Sequence, residues 1–543
     1  MNTDIAADPH GTDLSPHEQG RTERLAGSEW SAGSDQCRTS VTVPPTRDRA
    51  HGAIGRSAWW LIGSFTVLRI FLAGALPLWP EEAYYWLWGR DLDWSYFDHP
   101  PLTSYSIALT TALFGTSAFG IKMAAVAWSL ALNAVWARLI VDLYDDRRVL
   151  WWTLLALNLV GLYEAYGALS APDAPLLFAW TATIWAVWRA AATRDGRWWY
   201  AAGFFLGLAL LSKYSAILLV PAVALFLAAS PRQRAWLARP EPYVGVAVAL
   251  LVFAPVIVWN VQHGWASFAF QSTERAAGMG RWQPMLFARL AATQLAVVSP
   301  YLLGIALGAW FACVRGWRDT LQDDRRLLLF LSATIPLLLF TAASFRSLVK
   351  ANWLAPAYWS LIILALQARL AHGESRRAMK IGLASSAALL VAAGLGLAWP
   401  LAPLGNADNW SGWAEAARRI EGLQGALAEQ DERTFVFSTH YMGSALLAFY
   451  LTGHPRTYAQ DVYGQRALQF DYWPVLDSMA GASGILALEG PANQAPPQQL
   501  ARFFASVSKV DSLEIRPGTP NSRRIDLYLC RGYRGHPRAE HDG

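Results

Sequence analysis

Residues 79–102 read WPEEAYYWLWGRDLDWSYFDHPPL and directly follow the first long apolar run of the chain, residues 58–78. The stretch is dense in aromatic side chains and carries five carboxylates: Glu81, Glu82, Asp91, Asp93 and Asp98. It closes with His99 and two prolines. Acidic side chains beside a membrane span are costly unless they serve a purpose, so this stretch indicates a polar site at the membrane boundary.

The composition identifies the class of protein. Of the 543 residues, 54% are hydrophobic and 16% are charged, whereas soluble domains average about 25% charged residues. The repeated long apolar runs therefore predict a polytopic membrane protein. Three scattered cysteines form no disulfide framework and no zinc spacing. Nothing resembles a basic, aromatic nucleic-acid surface, so no nucleic acid is expected as a partner.

The apolar runs predict a mainly α-helical bundle, since a span needs about 20 mostly apolar residues. We expect about 11–13 spans. A shorter run, 102–114, is expected to lie at the interface, and a break is expected at Lys213. The candidate spans are 58–78, 117–140, 149–168, 174–192, 198–211, 214–229, 243–260, 286–313, 327–343, 353–370 and 380–400.

The distribution of Lys and Arg predicts the orientation, because cytoplasmic loops carry the excess of both residues. If the N-terminus is cytoplasmic and the spans alternate, the basic clusters around residues 147–148, 189–197, 232–239, 315–326 and 369–380 all fall inside. Residues 79–102 then lie outside. We expect a multi-pass protein of the bacterial cytoplasmic (inner) membrane, with its active site on the periplasmic side.

Three regions are predicted. Residues 1–55 read as a disordered cytoplasmic tail without a cleaved signal peptide. Residues 56–403 form the transmembrane catalytic domain, with a first outer loop at 79–116. Residues 404–543 form a small extracytoplasmic α/β domain, in which Ser411 caps a helix to about residue 429. Strands are expected at 434–438, 484–488 and 525–530, and a second helix at 444–451.

Polar side chains concentrate on the predicted outer side. Four separate outer segments contribute carboxylates, cations and amides, whereas the inner loops are basic but lack this mixture. The outer set comprises Glu81, Glu82, Asp98, His99, Asp173, Lys213, Asn260, His263, Gln271, Arg275, Arg346, Lys350 and Asn352. One-sided enrichment of this kind indicates an active site at the outer membrane boundary.

Several motifs resemble glycosyltransferase family 39, which includes protein O-mannosyltransferases and bacterial lipid A sugar transferases. PEEAYYWLW followed by YFDHPPL resembles the first outer loop of that family. Later segments, in the expected order, look like boxes of its bacterial branch: SAPDAPLLFAW, GLALLSKYSAILL, WNVQHGWASFAFQ, VKANWLAPAYW and QFDYW. The resemblance covers roughly residues 58 to 475.

The resemblance implies a C-type membrane glycosyltransferase, a hexosyl- or pentosyltransferase. Such an enzyme moves a sugar from a polyprenyl-phosphate donor to an envelope acceptor (lipid A, a glycan or a protein) and inverts the anomeric carbon. The family motif usually begins Asp-Glu, and its Asp is expected to be the base or a carboxylate that orients the acceptor. Here Glu81 occupies that position and Glu82 follows it, so the choice between the two glutamates stays open.

The residues fit that chemistry. A carboxylate that takes the proton of an acceptor hydroxyl typically contributes about 10²–10⁴-fold in rate, and cations stabilise the departing phosphate. We predict catalytic roles for Glu81, Glu82 and Asp173. Substrate-binding roles are predicted for Tyr84, Tyr85, Asp98, His99, Lys213, Asn260, His263, Gln271, Arg275, Arg346, Lys350 and Asn352. The paired acids could hold a divalent metal, but no compelling set of His and carboxylate ligands accompanies them.

Simpler interpretations compete with these assignments. Glu81 and Glu82 suit the first turn of a helix, and Asp173 suits a helix cap. Arg69, inside the first span, is expected to form a buried structural ion pair with Glu164. For the whole protein, the alternatives are a transporter or flippase of lipid-linked sugars and an outer-face binding or assembly protein. A transporter would more naturally place its charges near mid-membrane on broken helices.

Overall fold

The fold is described from a computed structural model that covers residues 54–274, 280–373, 376–398, 409–473, 476–490, 495–517 and 522–535. Nearly all of the predicted N-terminal tail, residues 1–55, lies outside these ranges. The predicted boundary between the membrane domain and the C-terminal domain also lies outside them. Both assignments stay predictions.

The membrane part is a bundle of α-helices. Short 3₁₀ segments occupy Tyr214–Leu218, Arg234–Ala238 and Ala351–Leu354, and Phe270–Glu274 is π-helical. The α-helices are α1 (Arg56–Ala75), α2 (Pro80–Arg90), α3 (Leu102–Phe114), α4 (Ala118–Tyr144), α5 (Arg147–Asn158), α6 (Gly161–Ala168), α7 (Asp173–Thr193), α8 (Arg197–Ser212), α9 (Leu219–Ala229), α10 (Glu241–Gln262), α11 (Ala266–Ala269), α12 (Pro284–Val298), α13 (Pro300–Arg315), α14 (Trp317–Gln322), α15 (Asp324–Ala343), α16 (Ala355–Ala371) and α17 (Arg376–Ala398).

Among the helices in the described ranges, six are long and apolar enough to cross a membrane: α1, α4, α10, α15, α16 with the 3₁₀ turn before it, and α17. Two bent pairs, α5 with α6 and α12 with α13, bring the number to as many as eight. This is fewer than the 11–13 spans expected from apolar runs. The difference arises partly because α8 and α9, with 16 and 11 residues, are shorter than the roughly 20 residues that cross a bilayer unaided.

Two runs predicted as continuous spans are broken. Between α5 and α6 the chain bends by 71°, and between α12 and α13 it bends by 111°. The second bend is at Ser299, whose φ of 79° is left-handed, and the proline after it begins α13. The predicted break at Lys213 is confirmed, since α8 ends at Ser212 and Lys213 is extended.

A close crossing of backbones joins α8 to α10. A Cβ at Gly203 would lie 2.0 Å from the carbonyl oxygen of Gly245, and a Cβ at Gly245 would lie 2.5 Å from the carbonyl oxygen of Trp199. Small residues of this kind let membrane helices approach until their backbones touch. The two glycines therefore bring α10 close to the core of the bundle.

A buried polar network holds the bend between α5 and α6. Arg69 of α1 donates from Nε to Glu164 at 2.8 Å and from a terminal nitrogen to Asn158 at 2.7 Å. Asn158, the last residue of α5, also donates to Asn133 of α4 at 2.7 Å. The expected Arg69–Glu164 pair is confirmed, and it connects α1 to α6.

The C-terminal domain is α/β, as predicted. Among its described residues are the helices α18 (Trp413–Ala428), α19 (Tyr441–Tyr450) and α20 (Leu500–Phe503) and the strands β1 (Thr434–Ser438), β2 (Ser483–Gly490), β3 (Ser506–Ile515) and β4 (Arg523–Arg531). The sheet order over the described residues is β1-β2-β4-β3, with β1 and β2 parallel and the other pairs antiparallel. Ser411 does not cap α18, because Gly412, at a φ of 84°, takes the N-cap position.

One face of this sheet packs on the part of the membrane domain that contains α2. Its buried side chains join those of α18, α19 and the aromatic residues of α2 in one hydrophobic cluster. Trp79, just before α2, stacks on Trp410 with ring centroids 4.5 Å apart. The C-terminal domain therefore covers the helix that carries Glu81 and Glu82.

Candidate functional site

Glu82 is buried and fully engaged. It lies in the first turn of α2, as the simpler interpretation of the two acids predicted, and is 1% exposed. One carboxylate oxygen accepts from the backbone N–H of Ser170 at 2.8 Å. The other accepts from the backbone N–H of Trp79 at 3.0 Å and pairs with the ammonium of Lys122, which is fully buried on α4. Glu82 thus joins α2 to α4 and to the segment before α7.

Glu81 is accessible. Its side chain is 35% exposed, and Oε1 lies 3.7 Å from Nζ of Lys350, whose side chain is 66% exposed. Adjacent residues on a helix do not share a face, so Glu81 and Glu82 meet different surroundings. An exposed pair at this distance contributes little to stability. The carboxylate of Glu81 is therefore accessible and only weakly paired.

Asp173 is the junction of three segments. It is the first residue of α7, yet its carboxylate does not cap that helix. Oδ1 accepts from Lys213 Nζ at 2.9 Å, and Oδ2 accepts from Asn352 Nδ2 at 2.8 Å. The side chains of Asp173 and Lys213 are 4% and 12% exposed, so the pair is largely shielded from water and stronger than a surface pair.

Asp98 lies in the loop between α2 and α3. Oδ2 accepts from the hydroxyl of Tyr84 at 3.0 Å, and its backbone carbonyl accepts from Gln271 Nε2 at 2.6 Å. The ring of His99 meets that of Tyr85 edge to face at 6.2 Å. These contacts bring residues of the first outer segment and of the segment after α10 together.

The electrostatic surroundings of Tyr85 indicate that several predicted site carboxylates lie in the same part of the structure. Burial raises the pKa of the Tyr85 hydroxyl, and the charge of Glu81 raises it further. Asp98 and Asp173 act on the same hydroxyl in the same direction. Tyr85 therefore stays protonated at neutral pH, and the carboxylates that act on it come from two segments, residues 79–102 and the start of α7.

Two further tyrosines, which the motifs did not indicate, lie near the same carboxylates. Tyr441, at the start of α19, has a pKa raised by burial and then by the charges of Glu81 and Asp98. Tyr166 of α6 interacts electrostatically with Asp173 and Glu81. A tyrosine within an apolar helix gives no sequence signal, so only the packing of the helices could reveal either residue.

The remaining predicted residues have different surroundings. Asn260 is buried and joins α10 to α11, donating to Val256 O at 2.9 Å and accepting from Phe268 N at 3.1 Å. His263 stacks on Trp259 at 4.1 Å. Arg346 is exposed. Arg275 lies outside the described residues.

The described residues offer no ready set of ligands for the divalent metal that the paired acids could hold. Across the residues that the structure describes, no group of three or more His, Cys, Asp and Glu side chains is placed to hold a metal ion. Glu82 directs its oxygens to three donors, and Asp173 directs both oxygens to nitrogen atoms.

Comparison with known proteins gives the following relatives. The family profile described as dolichyl-phosphate-mannose-protein mannosyltransferase matches residues 98–259. The lipid A galacturonosyltransferase RgtD of Rhizobium johnstonii is 27% identical over 316 residues, which cover 57% of this chain and 65% of RgtD. This chain thus matches slightly less than two thirds of the length of that relative.

Solved structures agree on the fold. ArnT from Cupriavidus metallidurans in the apo state has a TM-score of 0.58 at 16% identity, over 87% of this chain and 98% of ArnT. The same protein bound to undecaprenyl phosphate has a TM-score of 0.58 at 17% identity, over the same shares of the chains. The predicted fold, a helical membrane bundle with a small α/β domain, is confirmed. This multi-pass membrane protein is thus similar in part of its sequence to a lipid A galacturonosyltransferase and in its fold to ArnT.

Proposed function

We propose that this protein is an inverting membrane glycosyltransferase that moves a sugar from a polyprenyl-phosphate donor to lipid A. The observation that carries the proposal is that one short segment reaches two of the carboxylates: Lys350 lies 3.7 Å from Glu81, and Asn352 donates to Asp173 at 2.8 Å. Lys213 also pairs with Asp173, and Asp98 is bound to the helix of Glu81 through Tyr84. The names of the relatives support it, since RgtD is a lipid A galacturonosyltransferase and ArnT was solved with undecaprenyl phosphate. Neither name indicates a flippase.

In the proposed reaction, Glu81 takes the proton of the acceptor hydroxyl. The oxygen of that hydroxyl attacks the anomeric carbon, and the bond from that carbon to the phosphate oxygen breaks. The electron pair leaves with the polyprenyl phosphate. Because attack and departure occur on opposite faces, the anomeric carbon is inverted in one step.

Glu81 is the better candidate for the base because its carboxylate is accessible and paired only weakly. Glu82 accepts three hydrogen bonds in a closed environment, so we assign it to holding α2 in place. Cations stabilise charge that develops on a leaving phosphate. Lys350 is exposed beside Glu81 and can contact that phosphate, whereas Lys213 is already bound to Asp173 and orients it.

We further propose that the site lies on the periplasmic side of the bacterial inner membrane. The support is the excess of Lys and Arg in the loops on the opposite side. A phosphatase fused after the C-terminal domain should be active in cells if this orientation is right, and it should be inactive if the orientation is reversed.

The activity is tested with a labelled polyprenyl-phosphate sugar and lipid A in membranes that contain the protein. Wild-type membranes should transfer label to lipid A, whereas Glu81→Gln and Asp173→Asn should lose at least about 10²-fold in rate. Asp195→Asn is a matched control, since Asp195 forms an exposed ion pair with Arg197 away from these residues. Full transfer by both site variants would refute the site. Movement of the lipid-linked sugar across vesicles without transfer would instead support a flippase.

A further inference from the structure

A chain of hydrogen bonds connects the C-terminal domain to Asp98. Gln469 lies in the 3₁₀ segment Leu468–Tyr472 and is 2% exposed. Its side-chain oxygen accepts from the backbone N–H of Phe97 at 2.7 Å. Its own backbone N–H donates to the hydroxyl oxygen of Tyr84 at 3.0 Å, and that hydroxyl donates to Asp98 at 3.0 Å. Gln469 thus holds the segment around Asp98 from two sides.

The direction of the Tyr84 hydrogen bond follows from this arrangement. A tyrosine hydroxyl has one proton to donate. Because the Gln469 N–H already points at the oxygen, the proton must point elsewhere, and the carboxylate of Asp98 receives it. Burial raises the pKa of Tyr84, and the charge of Asp98 raises it further, so the proton is retained at neutral pH.

Aromatic packing encloses these bonds. The ring of Tyr84 lies 4.6 Å from that of Tyr441 and is parallel to that of Phe470 at 6.1 Å. Phe97 stacks on Tyr472 at 5.1 Å. Tyr84 is only 2% exposed, so water does not compete for its hydroxyl. Hydrogen bonds in such a dry environment fix the geometry of their partners strongly.

The backbone next to Gln469 is adapted to this contact. Leu468 has a φ of 58°, a left-handed conformation that is unfavourable for a side chain such as leucine. Unfavourable conformations of this kind persist where the surrounding structure requires them and cluster at functional sites. Here the unusual turn aims the N–H of Gln469 at Tyr84.

We propose that Gln469 is a positioning residue of the glycosyltransferase site, which holds Asp98 in its working orientation through Phe97 and Tyr84. The C-terminal domain is then a part of the catalytic apparatus, rather than a separate module that only selects the acceptor. This inference rests on the proposed function, because Asp98 must contribute to sugar transfer for its orientation to matter.

The test uses the full-length protein with Gln469→Met and Tyr84→Phe. The first variant removes the acceptor for the Phe97 N–H and keeps the volume, and the second removes the bridge and keeps the ring. Gln465→Met is the control, because Gln465 is exposed in the same domain and its side chain donates to Gln499, away from Tyr84 and Phe97. The measurements are kcat and KM for sugar transfer, the range of acceptors used and the thermal midpoint.

Both test variants should lower kcat by about 10- to 100-fold, as small misplacements of a reacting group do, with KM and acceptor range unchanged. Gln465→Met should match the wild type. Wild-type kcat in both test variants, or an altered acceptor range at unchanged kcat, overturns the inference. A lower kcat that merely follows a loss of folded protein also overturns it. If the wild type itself transfers no sugar, it is the proposed function that fails.

Discussion

We expect Glu82→Gln to lower the stability of the protein and Glu81→Gln to lower its rate of sugar transfer. The side chains of Glu82 and Lys122 are 1% and 0% exposed. Removing one member of a buried ion pair costs about 3–5 kcal/mol of folding free energy. A glutamine would still accept from Ser170, but its NH₂ group would face the N–H of Trp79 and the ammonium of Lys122. The loss should therefore lie in the upper part of that range.

Glu81→Gln should behave in the opposite way. Its ion pair with Lys350 is exposed, so the substitution should change the free energy of unfolding by less than about 1 kcal/mol. Loss of the base should lower the transfer rate by about 10²–10⁴-fold. Thermal unfolding of purified protein in detergent measures the first quantity. Transfer in membranes, normalised to folded protein, measures the second.

A double variant separates charge from chemistry. Glu82→Gln with Lys122→Met removes both charges and should recover part of the stability that Glu82→Gln loses, because no buried charge is left unpaired. If Glu82→Gln unfolds at the wild-type midpoint and yet transfers no sugar, Glu82 takes part in the chemistry and our division of roles is wrong. Full transfer by Glu81→Gln would be equally decisive against Glu81 as the base.

Three further substitutions test the fold. Gly203→Ala should lower the free energy of unfolding by about 1–3 kcal/mol or more, because its Cβ would meet a carbonyl oxygen of α10. Gly304→Ala is the control and should be neutral, because nothing lies within 4 Å of the added Cβ. Thermal midpoints in detergent compare the two variants. Arg69→Met leaves Glu164 buried without its cation and should cost about 3–5 kcal/mol, seen as a smaller folded fraction after extraction. Burial raises the pKa of Asp461 to about 6, above its ordinary value of about 3.9. The folded state therefore binds the proton of the Asp461 carboxyl more tightly than the unfolded state does. The stability that this proton contributes is fully present below about pH 4 and is lost as the pH rises through about 6. Asp461→Asn should raise the midpoint at pH 8 by the equivalent of about 1–3 kcal/mol and leave it unchanged at pH 4.

Hydrophobic patterning predicted the helices of the bundle but not where they bend. Residues 149–168 read as one continuous apolar run, yet the chain turns after Asn158. The cause is tertiary, because Asn158 bonds Arg69 and Asn133 on two other helices. At the second bend a local signal existed, since Ser299 precedes a proline, which favours the start of a helix.

In the C-terminal domain, β1, β2 and β4 were predicted because they are apolar runs. The strand β3 was not, since SVSKVDSLEI is largely polar, and only its last residue is buried in the structure. It lies at the end of the sheet order and is held by pairing with β4. Polar side chains on an edge strand prevent aggregation. Because the strand is polar, its sequence resembles that of a loop.

The motifs indicated the carboxylates of the site but not the contacts that organise them. Gln469 begins the QFDYW box, yet that box does not show which distant residue Gln469 contacts. Lys122 lies inside a run predicted as a span, and nothing in the local sequence indicates that it pairs with Glu82, 40 residues earlier. Gln469 contacts Phe97 across 372 residues of sequence. Such partners follow from how helices and domains dock, and no local pattern encodes them.

The helical position of the two glutamates explains how adjacent acids come to have different roles. Successive residues of an α-helix point about 100° apart, so when Glu82 faces α4, Glu81 must face away from it. The related family usually has Asp at the position of Glu81, and the longer side chain here occurs at the partly exposed position, where an added methylene meets no closed cavity. The buried position keeps Glu, whose two oxygens are already matched to three donors. We therefore propose that the first turn of α2 divides the two roles: Glu81, which is partly exposed, meets the substrate, and Glu82, which is buried, holds the helix.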